Sequence, residues 1–267
     1  MAAEKTRPLD VVVPRSEGDI IIRQFQCRDA AQVHAMLIEG LVYGPESPRN
    51  VALRRNLSSP ISCLAYTGFG LGAACFMRQN YIFRIGGAAL CLAAATLFIC
   101  VRRSITKMFL DFCASARKTD MANIPKSYEV PLPLNDVQPF PPQGPGGFWV
   151  AAIESPNQKT SEVVGYVGAD YHANTDPSSA ELRRMIVSMR LRRRGIGSLL
   201  ISAVIAHAQS LAPLLETLEL ETTEFQPGPR KLYEKHGFSF VGTRVIRMPL
   251  FQVTVLRFRR KVFTDEQ

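Results

Sequence analysis

The stretch that decides the fold is Arg192-Arg193-Arg194-Gly195-Ile196-Gly197-Ser198. It follows a predicted strand at residues 181–187 and opens a predicted helix at about residues 196–209. A helix N-terminus presents unpaired backbone N–H groups and a partial positive charge, and glycines there let a phosphate approach the backbone. The loop lacks the GKS or GKT of a Walker loop and the third glycine of the dinucleotide fingerprint. Alone it is a weak signal, because a tight turn beside a solvated basic face explains it equally well.

A second motif follows in the chain, Leu232-Tyr233-Glu234-Lys235-His236-Gly237-Phe238. The two motifs, in this order and spacing, resemble the GNAT superfamily of N-acetyltransferases. In that family the pyrophosphate of acetyl-CoA lies on an RxxGxG/A loop, whose defining positions are filled here by Arg192, Gly195 and Gly197. The resemblance therefore implies acetyl-CoA as the co-substrate. It also implies that the coenzyme is held by Met185, Ile186, Val187, Arg192, Arg193, Arg194, Gly195, Ile196, Gly197 and Ser198.

Strands alternate with helices along most of the chain, which predicts an α/β fold with a mixed central sheet flanked by helices. We expect a flexible tail at residues 1–18 and the first strand and helix at 19–59. After an insertion at 60–101, residues 102–262 complete the domain and carry the acetyl-CoA site. A Pro- and Gly-rich stretch at 126–147 predicts an extended loop, and a turn is expected at 174–179.

The insertion contains two runs without any charged residue, 60–77 and 85–101, joined by the short polar link 78–84. Each run is at the lower limit of the ~17–25 residues that a membrane-spanning helix needs. The pattern favours a tight transmembrane or re-entrant hairpin, and a pair of buried core helices is the alternative. Lys and Arg flank both outer ends, which places both flanks in the cytosol by the positive-inside rule. An even number of crossings also keeps the two parts of the sheet on one side of the bilayer.

A GNAT domain whose first helix precedes a membrane hairpin resembles the camello-like group, of the N-acetyltransferase 8 type. The segments Thr119-Asp120-Met121 and Phe148-Trp149-Val150-Ala151 are similar to that group's sequences between hairpin and central strands. The resemblance implies an acceptor amine on a small amino acid, such as aspartate, on a cysteine S-conjugate, or on a protein lysine. It also implies a membrane location, at the endoplasmic reticulum, with the catalytic domain facing the cytosol.

An amine acceptor is mostly protonated near pH 7, so a base must remove a proton before the nitrogen attacks. Glu181 matches the position of the general-base glutamate in GNAT histone acetyltransferases, although a charge at the start of a strand also explains it. Tyr233 matches the family's general acid, and core packing is its alternative role. The resemblance also implies that the backbone around residues 185–187 supplies the oxyanion donor. Arg184 could pair bidentately with a substrate carboxylate, or be only a charge on the strand face.

The formal net charge is +9, which fits nucleic acid, an anionic membrane surface or a phosphate-rich coenzyme as partner. No zinc-finger spacing or DNA-reading motif occurs, so we expect no nucleic acid and no metal. The lipid bilayer and an amine substrate remain the expected partners. Two other classes stay open: a catalytically weak, membrane-tethered acetyl-CoA-binding interaction protein, and a scaffold that binds anionic lipid.

Overall fold

An eight-stranded mixed sheet runs through the part of the chain that the structure, a computed structural model, describes: residues 12–13, 19–131, 144–154, 161–172, 176–211 and 214–263. In spatial order the strands are β1-β2-β3-β4-β5-β6-β8-β7. Neighbours pair antiparallel except β5 and β6, which are parallel. The strands are β1 Val12–Val13, β2 Asp19–Gln24, β3 Gly147–Glu154, β4 Glu162–Asp170, β5 Ser179–Val187, β6 Thr217–Thr223, β7 Ser239–Arg247 and β8 Gln252–Lys261.

One face of the sheet is covered by the helix that connects the two parallel strands. We number the helices in chain order: α1 Ala30–Ile38, α2 Pro48–Asn56, α3 Pro60–Phe76, α4 Tyr81–Lys118, α5 Ile124–Ser127, α6 Ile196–Ser210 and α7 Pro227–Lys235. Helix α6 makes the β5–β6 crossover, and its residues Ile196, Leu200, Ile201, Val204 and Ala208 are buried at helical spacing. We call this side of the sheet the α6 face.

The opposite face, called the α4 face, is covered by α1, by a π-helical turn at Glu39–Tyr43, by α2 and by the second half of α4. Five residues of α4 are buried there at spacings of three and four: Val101, Ile105, Phe109, Cys113 and Ala116. The first half of α4 leaves the sheet and packs against α3. Helix α4, which is 38 residues long, therefore runs from the apolar insertion to the α4 face of the sheet.

Helices α3 and α4 form the apolar hairpin, and they touch through glycines. A Cβ on Gly72 would lie 2.8 Å from the Gly87 carbonyl oxygen, so only glycine allows this close crossing. Within the described residues α4 alone is long and apolar enough to cross a membrane, and only 11 % of its most apolar window is buried. The segments Cys27–Asn56 and Pro60–Phe76 meet the same criteria as a pair bent by 49°.

The predicted fold class is confirmed: a mixed α/β sheet flanked by helices, with a long apolar helix inserted. The alternative of two buried core helices is wrong, because most large apolar side chains of the hairpin are exposed. The second apolar helix begins at Tyr81, inside the predicted link, and ends at Lys118 rather than at residue 101. The predicted apolar helix ends just before the first charged residues, Arg102 and Arg103. Buried apolar residues nevertheless continue at helical spacing on the opposite face of the same helix.

The predicted tail at 1–18 is not wholly unstructured, because Val12 and Val13 pair with Ile21 and Ile20 to form strand β1. The rest of that tail lies outside the described residues. So do residues 132–143 of the predicted Pro- and Gly-rich loop, and residues 174–175 of the predicted turn at 174–179.

Candidate active site

The candidate site begins where the two parallel strands separate. Strand β5 pairs with β6 only over residues 179–182, opposite residues 217–220, although β5 continues to Val187. On that side no described strand lies beside residues 183–187. Backbone N–H and C=O groups in this notch are therefore available to a ligand that lies between the strands.

A β-bulge shapes the same part of β5. The register with β4 shifts between Tyr166 and Gly168, opposite residues 183–186, so that β5 has one extra residue. Arg184 has a φ of 56°, in the left-handed region that costs a side chain about 1–2 kcal/mol. Because of the bulge, Arg183 and Arg184 both reach charged partners on the α4 face, although neighbours on a regular strand alternate between faces.

The Arg184 side chain is held by an acid from α4's C-terminal end. Its Nε and Nη2 donate to the two carboxylate oxygens of Asp120 at 2.8 and 2.7 Å, and its guanidinium lies 4.9 Å from the Phe112 ring centroid. The hydroxyl of Tyr128 donates to the same carboxylate. Burial opposes ionisation, but hydrogen bonds from Arg184 and Tyr128 outweigh it and lower the pKa of Asp120 to about 2.

The predicted role of Arg184 as a ligand for a substrate carboxylate does not fit this geometry. The two donors that would form a bidentate pair are bound to Asp120, and the side chain is only 9 % exposed. Arg184 instead fastens the bulged strand to helix α4. The sequence pattern could not reveal this, because Asp120 lies 64 residues away in the chain.

The predicted phosphate loop joins β5 to α6. Gly195 is the N-cap residue of α6 and has a φ of 84°, which a side chain rarely adopts. The position of a Cβ on Gly195 has no atom within 4 Å, so the backbone here is open to a ligand. Gly197 is different, because a Cβ there would lie 3.0 Å from Leu232 and 3.2 Å from Met185. Gly197 therefore allows α6, α7 and β5 to pack closely.

The three arginines of the loop have different surroundings. Arg192 donates from Nε to the Val187 carbonyl oxygen at 3.4 Å, and its Nη1 lies 3.6 Å from the Glu46 carboxylate. It therefore connects the end of β5 to the segment after α1. Arg193, with a φ of 60°, and Arg194 are exposed beside the helix N-terminus. Their charges add to the positive potential of that terminus.

The loop is also tied to the second motif. The Ser198 hydroxyl lies 2.6 Å from Nε2 of His236, which follows the end of α7. Burial, helped by the charges of Lys235 and Arg260, lowers the pKa of His236, which favours the neutral imidazole. This contact holds the first turn of α6 against the end of α7.

Tyr233 lies in the core on the α6 face, with its ring 6.1 Å from Phe238 and 6.0 Å from Phe258 between centroids. Burial raises its pKa, so the phenol keeps its proton at neutral pH. Its neighbour Leu232 packs over Gly197, which places the tyrosine helix beside the phosphate loop. A protonated phenol is what a general acid requires.

Glu181 lies on the α4 face of β5, in the part of the strand that still pairs with β6. Burial raises its pKa, Arg183 opposes this at 3.6 Å, and the nearby Glu221 and Asp170 add to it. The carboxylate thus has the raised basicity expected of a general base. It lies on the opposite face from Tyr233 and two residues before the notch.

The predicted coenzyme residues of β5 and α6 come together at one end of the notch, and Tyr233 lies next to them. Glu181 and Arg184 lie on the other face of the same strand. Three features were missed by the sequence reasoning: the pair between Asp120 and Arg184, the Glu46 contact, and the close approach of the π-helical turn. There a Cβ on Gly40 would lie 2.9 Å from Ile186.

A notch between splayed parallel strands, followed by a glycine-capped helix, defines the class of protein. The family model described as "Acetyltransferase (GNAT) family" matches residues 119–238. N-acetyltransferase 8F1 of Rattus norvegicus is 30% identical over 231 residues, which cover 85% of this chain and 89% of that protein. The chain belongs to the GNAT acetyltransferase family, as the sequence predicted.

Within that family the chain is similar to N-acetyltransferase 8F1 and to N-acetylaspartate synthetase. The N-acetylaspartate synthetase of Rattus norvegicus is 28% identical over 230 residues, 86% of this chain. The chain spans only 66% of that relative's length. Among solved structures, an acetyltransferase of the GNAT family from Staphylococcus aureus Mu50 covers 91% of this chain and 99% of its own, with a TM-score of 0.47 and 13% identity.

Proposed function

We propose that this protein is a membrane-anchored N-acetyltransferase that moves the acetyl group of acetyl-CoA directly to an amine of a small amino acid or amino-acid conjugate. The observation that carries the proposal is the notch between β5 and β6 beside the glycine N-cap of α6. The open space at the Cβ position of Gly195 fits a diphosphate close to the backbone. Acetyl-CoA would supply the thioester that the amine attacks.

In this proposal the diphosphate is held by the N–H groups at the start of α6, with Arg193 and Arg194 nearby. The backbone N–H groups of Met185 and Val187, on the side of β5 that β6 does not pair, stabilise the negative charge that develops on the carbonyl oxygen. Tyr233, kept protonated by burial, donates its proton to the leaving thiolate. All of these groups lie at the end of β5 or on the α6 face.

The acceptor would enter from the α4 face. Glu181 takes the proton of the ammonium group, directly or through water, because its raised pKa makes it a better base than an exposed carboxylate. Arg183 also has a carboxylate partner, since its Nη1 donates to Asp170 at 2.7 Å, but 30 % of its side chain is exposed, against 9 % for Arg184. It is therefore the cation that we assign to an acceptor's carboxylate, and a protein lysine, which lacks a neighbouring carboxylate, fits this face less well.

Membrane anchoring is proposed from the exposed apolar surface of the α3–α4 hairpin. The arginines and lysines beside it support a cytosolic catalytic domain by the positive-inside rule, and we propose the endoplasmic reticulum as the membrane. Accessibility of tags at both termini in sealed microsomes tests the sidedness. Protection of both termini from added protease would contradict it.

Release of free CoA by the full chain in detergent tests the activity. Aspartate, a cysteine S-conjugate and a lysine peptide are the acceptors, and the Gly195→Asp variant is the matched control. We expect acetyl-CoA-dependent release with an acceptor that carries a carboxylate beside its amine. Binding of acetyl-CoA without turnover on any of the three would contradict the enzyme and favour an acetyl-CoA-binding interaction protein.

A further inference from the structure

A groove of about 590 Å³ lies between α2 and α4, on residues that the candidate active site does not use. Its walls have two characters. Leu53, Phe98 and Ile99 form an apolar side that continues into the exposed hairpin. The second side is cationic and is formed by Arg49, Arg102, Arg103 and Lys107.

The charges around the groove are strongly unbalanced. It is lined by Arg49, Arg102, Arg103 and Lys107, against the single carboxylate of Asp111. That carboxylate pairs with Lys107 at 2.7 Å. Three cationic side chains therefore remain in excess, and an anion is the complementary ligand.

Two of the arginines are held by their neighbours. Arg49 donates from Nε to the Thr106 hydroxyl at 3.2 Å, and Arg102 donates to the Leu53 carbonyl oxygen at 3.2 Å. The Arg102 guanidinium also lies 5.5 Å from the centroid of the Phe98 ring. These contacts fix the cationic side of the groove before any ligand arrives.

The height of the groove along α4 matches the phosphate layer of a bilayer. The headgroup layer adds ~5–8 Å on each side of the hydrocarbon core, which corresponds to ~4–5 helical residues at 1.5 Å each. The uncharged run ends at residue 101, so this layer falls beside Arg103 and Thr106. The apolar wall then faces the hydrocarbon, and the cations face the phosphates.

We propose that this groove is a binding site for an anionic phospholipid, whose phosphate contacts Arg49 and Arg103 and whose acyl chain lies along Phe98 and Ile99. The inference rests on the proposed membrane anchoring, but it does not depend on the acetyl-transfer chemistry. A free phosphate shares the headgroup's chemistry and lacks the acyl chain, so the two sources can be separated.

Native mass spectrometry of the full chain in mixed micelles, with phosphatidic acid as probe and phosphatidylcholine as neutral lipid, tests the site. A charge-assisted hydrogen bond from an arginine to the phosphate contributes about tenfold to affinity, so R49Q/R103Q should lose about 100-fold. The charge-matched control is R54Q/R55Q, which removes two exposed arginines of α2 outside the groove. We expect the control to retain phosphatidic acid as wild type does.

Equal losses of bound phosphatidic acid in the two double variants would show that general surface charge explains the binding, and would overturn the proposed site. Displacement of the lipid by inorganic phosphate would overturn the contribution of the acyl chain. A lack of preference for phosphatidic acid in wild type would overturn the proposal outright. If R49Q/R103Q does not fold, the exposed Arg103→Gln alone should still lose about tenfold. CoA release measured on the same samples shows separately whether the proposed function has failed.

Discussion

The pair between Asp120 and Arg184 gives the sharpest test of how the notch is held open. The variant Asp120→Asn keeps the shape of the side chain and removes its charge. In the folded protein the pKa of Asp120 falls from 3.8 to about 2, which corresponds to about 2–3 kcal/mol of stability at neutral pH. For a domain of this size the melting temperature should fall by about 5–10 °C.

The same substitution should affect turnover more than binding. Without the Asp120 carboxylate, the ion pair no longer offsets the strain of the left-handed backbone at Arg184. The bulge then relaxes toward a regular strand. The N–H groups of Met185 and Val187 then move away from the place that we propose for the developing oxyanion. Loss of one such donor costs about 10²–10³ in kcat. The KM for acetyl-CoA should change little, because we place the diphosphate at α6, away from the bulge.

Asp111→Asn, within α4 and nine residues before Asp120, is the matched control with the same chemical change. Asp111 pairs with Lys107 at the surface, so its loss should cost less than about 1 kcal/mol. Thermal melting and CoA release are measured on wild type and both variants. If Asp120→Asn matched Asp111→Asn in both assays, the pair would not hold the bulge and this reasoning would be refuted.

The pH dependence has a definite sign. The folded-state pKa of Asp120 lies below its ordinary value, so the pair's contribution is complete above about pH 5 and is lost as pH falls through about 4 toward 2. The difference in melting temperature between wild type and Asp120→Asn should therefore shrink from pH 7 to pH 3. A difference that stayed constant over this range would show that charge is not the cause.

Three further variants test the assigned roles. Gly195→Ala should weaken acetyl-CoA binding about tenfold, because a side chain at this positive φ adds backbone strain of about 1–2 kcal/mol. Calorimetry measures the affinity against the control Gly86→Ala in the hairpin, and equal affinities of the two variants would contradict the glycine's role. Tyr233→Phe should lower kcat about 10²-fold or more and leave the KM for acetyl-CoA unchanged, whereas the control Tyr81→Phe should behave as wild type. Parallel losses of kcat and cofactor affinity in Tyr233→Phe would refute the acid role. Glu181→Gln should lower kcat/KM. In wild type, kcat/KM should fall at acidic pH as Glu181 is protonated, at a pH above the ordinary carboxyl pKa, and this fall should be absent from the variant's pH profile. A fall that persists in the variant would show that another group is the base.

Most strands and helices of the α/β core could be predicted from local sequence. The predicted strand at 181–187 is β5 without its first two residues, and the helix predicted at 196–209 is α6 with one residue fewer. These elements carry strong signals, because β-branched runs and helical apolar spacing agree with their burial. The second half of α4 also carried such a signal, at Val101, Ile105 and Phe109, but charged side chains on the opposite face obscured it.

The geometry of the loop at residues 192–198 could be predicted because it depends on consecutive residues. Gly195 must adopt a positive φ and cap α6, and both requirements are local. The acceptor side could not be predicted in the same way. Arg184 appeared as a free cation because its partner, Asp120, becomes a neighbour only when α4 crosses under β5. A bulge is likewise a property of two paired strands and has no signature in one strand alone.

The most direct test concerns the first turn of α6, where we place the coenzyme's diphosphate. Calorimetry compares acetyl-CoA with S-acetylpantetheine, which has the same thioester but lacks the diphosphate and the 3′-phosphoadenosine, on wild type and on Gly195→Asp. Two charge-assisted hydrogen bonds of about 1.5 kcal/mol or more each predict that the diphosphate alone makes S-acetylpantetheine bind wild type at least about 100-fold more weakly. In Gly195→Asp the difference between the two ligands should shrink by about this factor. Equal affinities of the two ligands for wild type would show that the diphosphate does not bind at this helix terminus.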